Sequence, residues 1–92
     1  MAYQAITTKF FGPTNYRGSR VKATAEAGSI TVSWDHALNS EQNHDAAAKA
    51  LAEKFGWRGA WFSGGTPTGN CYVWVPSAGE DDKGVSFYVH AV

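Results

Sequence analysis

The chain has 92 residues, 43% of them hydrophobic and 14% aromatic, with 8 Lys and Arg against 8 Asp and Glu. That length makes one domain, 1–92, with a single small core. A net charge of zero excludes a uniformly basic nucleic-acid binder and an acidic DNA mimic, and a lone cysteine, Cys71, excludes an internal disulfide, as in a protein of the reducing cytosol.

Residues 2–11 are rich in Thr, Ile and aromatic side chains and predict a first strand. Gly12-Pro13 ends it, because proline fixes φ and has no N–H to donate. The loop that follows, Thr14-Asn15-Tyr16-Arg17, is hydrogen-bonding, aromatic and cationic. It closes on Gly18, which permits a tight return. Loops held on a rigid scaffold often carry function, so this one is the leading candidate contact surface.

Residues 19–25 alternate strictly, Arg20, Lys22 and Thr24 against Val21, Ala23 and Ala25, the period of a half-buried strand. Ala27-Gly28 is a turn, and residues 29–34 alternate again, Ile30, Val32 and Trp34 against Ser29, Thr31 and Ser33. Short connections make these three strands antiparallel. Asn39 or Ser40 caps a helix, with Glu41 in its first turn and the run Asp45 to Phe55 of strong helix formers behind it. Gly56 stops it. Ala47, Ala48, Leu51 and Phe55 line its apolar face, and His44 on that side is a packing or capping residue.

Ala60-Trp61-Phe62 predicts a short strand, residues 63–70 a Gly-rich loop, and residues 71–75 a strand closed by Pro76. Residues 77–84 form an acidic turn with Glu80, Asp81 and Asp82 at its tip, and residues 85–89 a last strand. The principal order is β-β-β-α-β-β, with the short strand near Trp61 in addition. The fold class is α+β: two layers, an antiparallel sheet with one main helix packed on one face.

The alternation assigns faces. Ile6, Phe10, Val21, Ala23, Ile30, Val32, Trp34, Val73, Val75, Val85, Phe87 and Val89 would meet the helix, with Thr8 a polar passenger among them. The other face would show Lys9, Phe11, Arg20, Lys22, Thr24, Thr31, Tyr72, Trp74, Ser86, Tyr88 and His90. Cations attract phosphates and rings stack unpaired bases, so this mixture suits single-stranded nucleic acid. It equally suits protein recognition, where Tyr, Trp and Arg anchor interfaces, or burial in a dimer. Charge is also divided along the chain: residues 1–34 carry +3 (Lys9, Arg17, Arg20 and Lys22 against Glu26) and residues 35–92 carry −3.

No residue set specifies catalysis. His36, His44 and His90 share no metal-ligand spacing with Cys71. Cys71 alternates with Val73 and Val75 and reads as a small buried hydrophobe. Gly64-Gly65 with Gly69 lacks the Lys-Ser/Thr of a phosphate loop. Neither enzyme, cofactor nor metal is expected. No apolar run reaches membrane-span length and no signal sequence is read at the start, so a cytoplasmic monomer is expected.

The stretch ITTKFFGPTNYRGSRVKAT, with the later WDHALNSEQNHDAAAKALAEKFGW, resembles a widespread group of small proteins from phages, plasmids and integrated elements. That group shows an ITTK–GPTN–RGSR opening, an ALN–E–NH–AA–AL–GW middle and a Gly-rich end before an aromatic strand; the match spans residues 5–75. Within the small phage proteins, the chain is similar to type I-F anti-CRISPR inhibitors. The resemblance implies stoichiometric binding to the RNA-guided surveillance (Csy/Cascade) complex, its subunits and guide RNA being the partners, and a block of target DNA binding. On that reading Lys9, Arg17, Arg20 and Lys22 contact guide phosphates or an acidic subunit surface. Thr14, Asn15 and Tyr16 add shape and hydrogen bonds, Trp74 and Tyr88 extend the surface, and the acidic tip meets basic residues that hold DNA. The alternative is a small RNA- or single-stranded-DNA-binding module of a mobile element.

Overall fold

A computed structural model of the chain describes residues 3–67, 69–75 and 85–89. Its strands are β1 (Ile6–Phe11), β2 (Arg20–Ala25), β3 (Gly28–Ser33), β4 (Gly59–Thr66), β5 (Gly69–Val75) and β6 (Phe87–Val89), with the helix α1 (Ser40–Phe55) between β3 and β4. They form one antiparallel sheet in the order β3-β2-β1-β5-β4-β6, and α1 lies across one face. This is the two-layer α+β architecture that the alternation and the single helical run predict.

The helix is fixed at both ends by local chemistry. Asn39 is the N-cap, its side chain accepting from Gln42 N at 2.8 Å while Gln42 Oε1 accepts from Asn39 N at 3.0 Å. This reciprocal box satisfies donors that a helix start leaves bare. Gly56 ends the helix in the left-handed conformation, φ 68°, and donates to Ala52 and Glu53 carbonyls. The small residues Ala47, Ala48 and Ala52 let the helix sit close on the sheet beside Leu51, Ile6 and Val21, all fully buried. Trp61 and Tyr72 supply the largest buried side chains. Burying a side chain the size of Leu51 stabilises the fold by about 1.5–3 kcal/mol.

Two expectations are corrected. Residues 63–66, expected as loop, continue β4, because Ser63, Gly64, Gly65 and Thr66 pair in register with Tyr72, Cys71, Asn70 and Gly69. The glycines belong to a hairpin strand and not to a flexible connection. The face assigned to β5 is inverted: Tyr72 is fully buried, Trp74 packs against the core and Val73 is 55% exposed. Register is the cause. Tyr72 lies opposite Ile6 and Trp74 opposite Trp61, and residues directly opposite in a ladder share a face. Cys71, opposite Thr7 and Gly64, is therefore on the outer face and only partly buried. The acidic turn with Glu80, Asp81 and Asp82, and His90, lie outside the described residues.

Among the described residues, strand β1 pairs with β5 at Ile6 with Tyr72 and Thr7 with Cys71. Thr8 then takes over. Its hydroxyl accepts from Asn70 N at 3.0 Å and shares a 2.7 Å hydrogen bond with His44 Nδ1. Asn70 Nδ2 donates onward to Glu41 and to the Tyr72 hydroxyl, which donates to Asp45. Thr8 is thus the sheet's link to the helix through a closed polar network. Among the described residues no buried side-chain polar atom is left without a partner. Gly69 is required beside it, since a Cβ there would collide with the Thr8 carbonyl and press on His44 at 3.1 Å.

Candidate partner-binding face

The sheet face away from the helix is built by the alternate residues of β1, β2 and β3. In register, Phe11 stands opposite Arg20, which stands opposite Ser33. Lys9 stands opposite Lys22, which stands opposite Thr31, and Thr7 opposite Thr24 and then Ser29. None of these three strands contains an acidic residue. The helix layer on the other side carries Glu41, Asp45 and Glu53 with Lys49 and Lys54. Among the described residues, the outer face of β1, β2 and β3 therefore gathers Lys9, Arg20 and Lys22 without a carboxylate from those strands, and a chain of zero net charge presents a cationic surface there.

Phe11 organises the cations. Lys9 Nζ lies 5.2 Å and the Arg20 guanidinium 5.3 Å from its ring centroid. The electron-rich ring face attracts both charges and restricts where they sit. Arg20 is held further by donating from Nη1 to the carbonyls of Gly12 at 3.4 Å and Gly18 at 3.3 Å. It clasps the two ends of the loop between β1 and β2.

That loop is ordered by Thr14. The Thr14 hydroxyl accepts from Tyr16 N at 3.3 Å and Arg17 N at 3.0 Å, and Thr14 N donates to the Arg17 carbonyl at 2.7 Å. Such side-chain-to-backbone bonds mimic a turn and fix the local chain. The consequence is a presented side chain: the ring of Tyr16 is 95% exposed, with Asn15 and Arg17 exposed on either side. An aromatic ring at the tip of an ordered loop loses little freedom on binding, which favours it as an anchor.

Of the residues singled out from the sequence, the fold brings Lys9, Arg20 and Lys22 onto one face and sets Thr14, Asn15, Tyr16 and Arg17 at its end. Trp74 does not join them. It lies on the helix side of the sheet, its Nε1 donating to the Arg58 carbonyl at 2.8 Å and its ring edge-on to Tyr3. With Tyr72 also turned inward, the ring platform expected for stacking bases is absent from β5. The side chain of Tyr88 lies outside the described residues. Phe11 was placed on this face by the alternation, but its role between two cations is visible only once β1 and β2 are paired.

The second polar cluster, Thr8, His44, Asn70, Tyr72 and Asp45, is interior. Burial pushes the His44 imidazole below its ordinary range, against the raising influence of Glu41 and Asp45. Burial raises the Asp45 carboxyl, against the hydrogen bond from Tyr72, and burial with that same bond raises the Tyr72 phenol. Thr8 is 2% and His44 7% exposed, so the pair offers no substrate access, and it serves to lock α1 to the sheet. Among the described residues no group of three or more His, Cys, Asp or Glu side chains could hold a metal ion, and no helix is long and apolar enough to cross a membrane.

No family model, curated protein or solved structure matches this chain.

Proposed function

We propose that the protein is a stoichiometric binding protein that acts by occupancy, without chemistry, on an anionic, RNA-bearing partner: an inhibitor of the RNA-guided type I-F surveillance complex. The observation that carries this reading is the acid-free outer face of β1, β2 and β3, where Lys9 and Lys22 oppose each other and Arg20 adjoins them. Like charges directly opposite in a ladder destabilise a sheet. An array of this kind gains most when a phosphate backbone or a carboxylate-rich surface lies over it. The sequence resemblance to type I-F anti-CRISPR inhibitors supplies the identity of the partner, and the loop tip at Tyr16 supplies an anchor for shape-specific contact. The loss of the β5 rings from this face favours recognition of a folded ribonucleoprotein over stacking on a naked single strand.

The test is binding to a reconstituted, RNA-loaded type I-F complex, with naked guide RNA in parallel and target DNA capture as the functional readout. The reading expects a saturable one-to-one complex, loss of DNA capture and much weaker binding to naked RNA. A complex that captures target DNA normally in excess protein would refute it.

A further inference from the structure

Strand β3 is an end strand of the sheet, and among the described residues no strand lies beyond it. Its ladder with β2 shows which backbone groups are free. Trp34 N donates to the Ser19 carbonyl at 2.9 Å, and the register runs unbroken from Arg20 opposite Ser33 to Ala25 opposite Gly28. Bonded and non-bonded pairs alternate along an antiparallel ladder, so Gly28, Ile30, Val32 and Trp34 turn their N–H and C=O groups to β2. Ser29, Thr31 and Ser33 turn theirs outward. This outward row is closed at both ends. Asp35 N donates to Asn43 Oδ1 at 2.8 Å, the Asp35 carbonyl accepts from Asn43 Nδ2 at 3.0 Å, and Ala27 N donates to Gln4 Oε1 at 2.7 Å. Edge strands are commonly blunted by proline, charge, a bulge or brevity. The run Gly28 to Ser33 has six residues, no proline, no charge and no bulge.

We infer that this edge pairs with the β3 edge of a second copy of the chain, antiparallel, about a two-fold axis at Thr31. Three features favour a second copy. The outward row is its own complement: with Thr31 opposite its counterpart and Ser29 opposite Ser33, every outward N–H and C=O of the three residues finds a partner. A register shifted by two residues either way sets an outward group against Asp35 or Ala27 N, whose hydrogen bonds are already made. The side chains agree with the same register. On the outer face the pairs are Thr with Thr and Ser with Ser, which hydrogen-bond across strands. On the helix side Ile30 faces Val32, and Trp34 faces Gly28, whose missing side chain leaves room beside the Phe55 ring that lies over it. The third feature is burial. Val21 and Ala23 in β2 are fully buried, whereas Ile30, Val32 and Trp34 are only partly so, and Phe10, edge-on to Trp34, is 42% exposed. A strand beside β3 covers the open flank of this apolar row. Charge does not oppose the pairing. The two Lys22 side chains come to lie three strand spacings apart, about 14 Å, beyond the Debye length of about 8 Å. Lys54 Nζ, 3.5 Å from the Ser29 carbonyl, takes only one of its two lone pairs. The inference is independent of the proposed function. It replaces the monomer expected from the sequence with a weak dimer, as suits a contact of one short strand per copy. The two-fold axis passes through the sheet and leaves both outer faces uncovered, so each chain still engages one surveillance complex.

The experiment is sedimentation equilibrium of the full-length protein, from low micromolar to near-millimolar concentration, beside oxidative cross-linking of single-cysteine variants. A monomer–dimer equilibrium is expected. Thr31→Pro removes an outward N–H and no bond to β2, so it should weaken the dimer about tenfold or more with the circular dichroism unchanged. In a Cys71→Ser background, Thr31→Cys should form an intermolecular disulfide, because bonded opposite residues lie about 5.5 Å apart at Cα. Ser29→Cys in the same background should not, since its counterpart stands four residues along the strand, about 14 Å away. A protein that stays monomeric across the range overturns the inference. So does a dimer that a folded Thr31→Pro variant leaves intact, or cross-linking through Ser29→Cys and not Thr31→Cys. If Thr31→Pro fails to fold, the cysteine pair decides.

Discussion

Lys9 and Lys22 face each other directly across the β1–β2 ladder, on a surface where β1, β2 and β3 supply no acid. Two ammonium groups so placed repel, and the Phe11 ring relieves only the Lys9 side. Lys22→Glu converts the repulsion into a cross-strand pair. It should raise the melting temperature by a few degrees at low salt, since such pairs are worth roughly 0.2–1 kcal/mol, and the gain should shrink as salt is added. The same variant should bind the RNA-loaded partner more weakly. Thermal unfolding at two ionic strengths, set beside a binding assay, checks this opposition between stability and function.

Gly69 is where β5 crosses closest to β1. Gly69→Ala places a methyl group against the Thr8 carbonyl and the His44 ring, at the edge of the seam that pairs Ile6 with Tyr72 and Thr7 with Cys71. The strands must part, at a cost of about 1–3 kcal/mol or more. Gly64→Ala, a few residues away with open space around the added Cβ, should stay within about 0.5 kcal/mol of the parent. Urea unfolding of the two variants separates a steric requirement from general intolerance in the hairpin.

The Tyr72 hydroxyl connects Asn70 to Asp45. Tyr72→Phe keeps the ring in the core and leaves a part-buried carboxylate and an amide short of a partner. A loss of about 1–3 kcal/mol is expected by denaturant unfolding. Val73→Thr, one residue along on the exposed side, should be nearly neutral. The reverse ranking would mean that β5 presents its other face to the helix.

His44 gives stability a pH dependence of definite sign. Its folded pKa lies below 6.5, so between the folded and unfolded values the unfolded chain binds more protons. Its contribution is fully present above pH 6.5 and falls away as the pH drops through the folded value. Asp45 acts oppositely at lower pH: its folded pKa is raised above 3.8, so protonation there favours the folded state. Unfolding free energy should therefore decline as the pH falls from 7.5 below 6.5, and His44→Gln should flatten that decline.

Much of this was legible because the early strands alternate without ambiguity. Arg20-Val21-Lys22-Ala23-Thr24-Ala25 admits one face assignment, and the face it assigns to Lys9, Arg20 and Lys22 is the one the structure shows. Cys71-Tyr72-Val73-Trp74-Val75 is apolar at almost every position, so its period carries no face information. Pairing with Ile6, a contact 66 residues away in sequence, decides it instead. Gly64-Gly65 punctuates like a loop, but the two glycines pair with Cys71 and Asn70 in the β4–β5 hairpin, so the punctuation marks the strand leading into the turn and not the turn itself. Thr8 reads as a misplaced polar residue until His44 and Asn70 arrive from two other elements. Gln42, three residues after Asn39, was the readable capping signal that composition alone passed over.

The most direct test of the central claim is the affinity of the Lys9→Glu/Arg20→Glu/Lys22→Glu variant for the RNA-loaded type I-F complex, measured beside its circular dichroism and melting curve. The account predicts a folded protein that no longer binds and no longer blocks target DNA. A folded triple variant that binds the complex as tightly as the parent would contradict it.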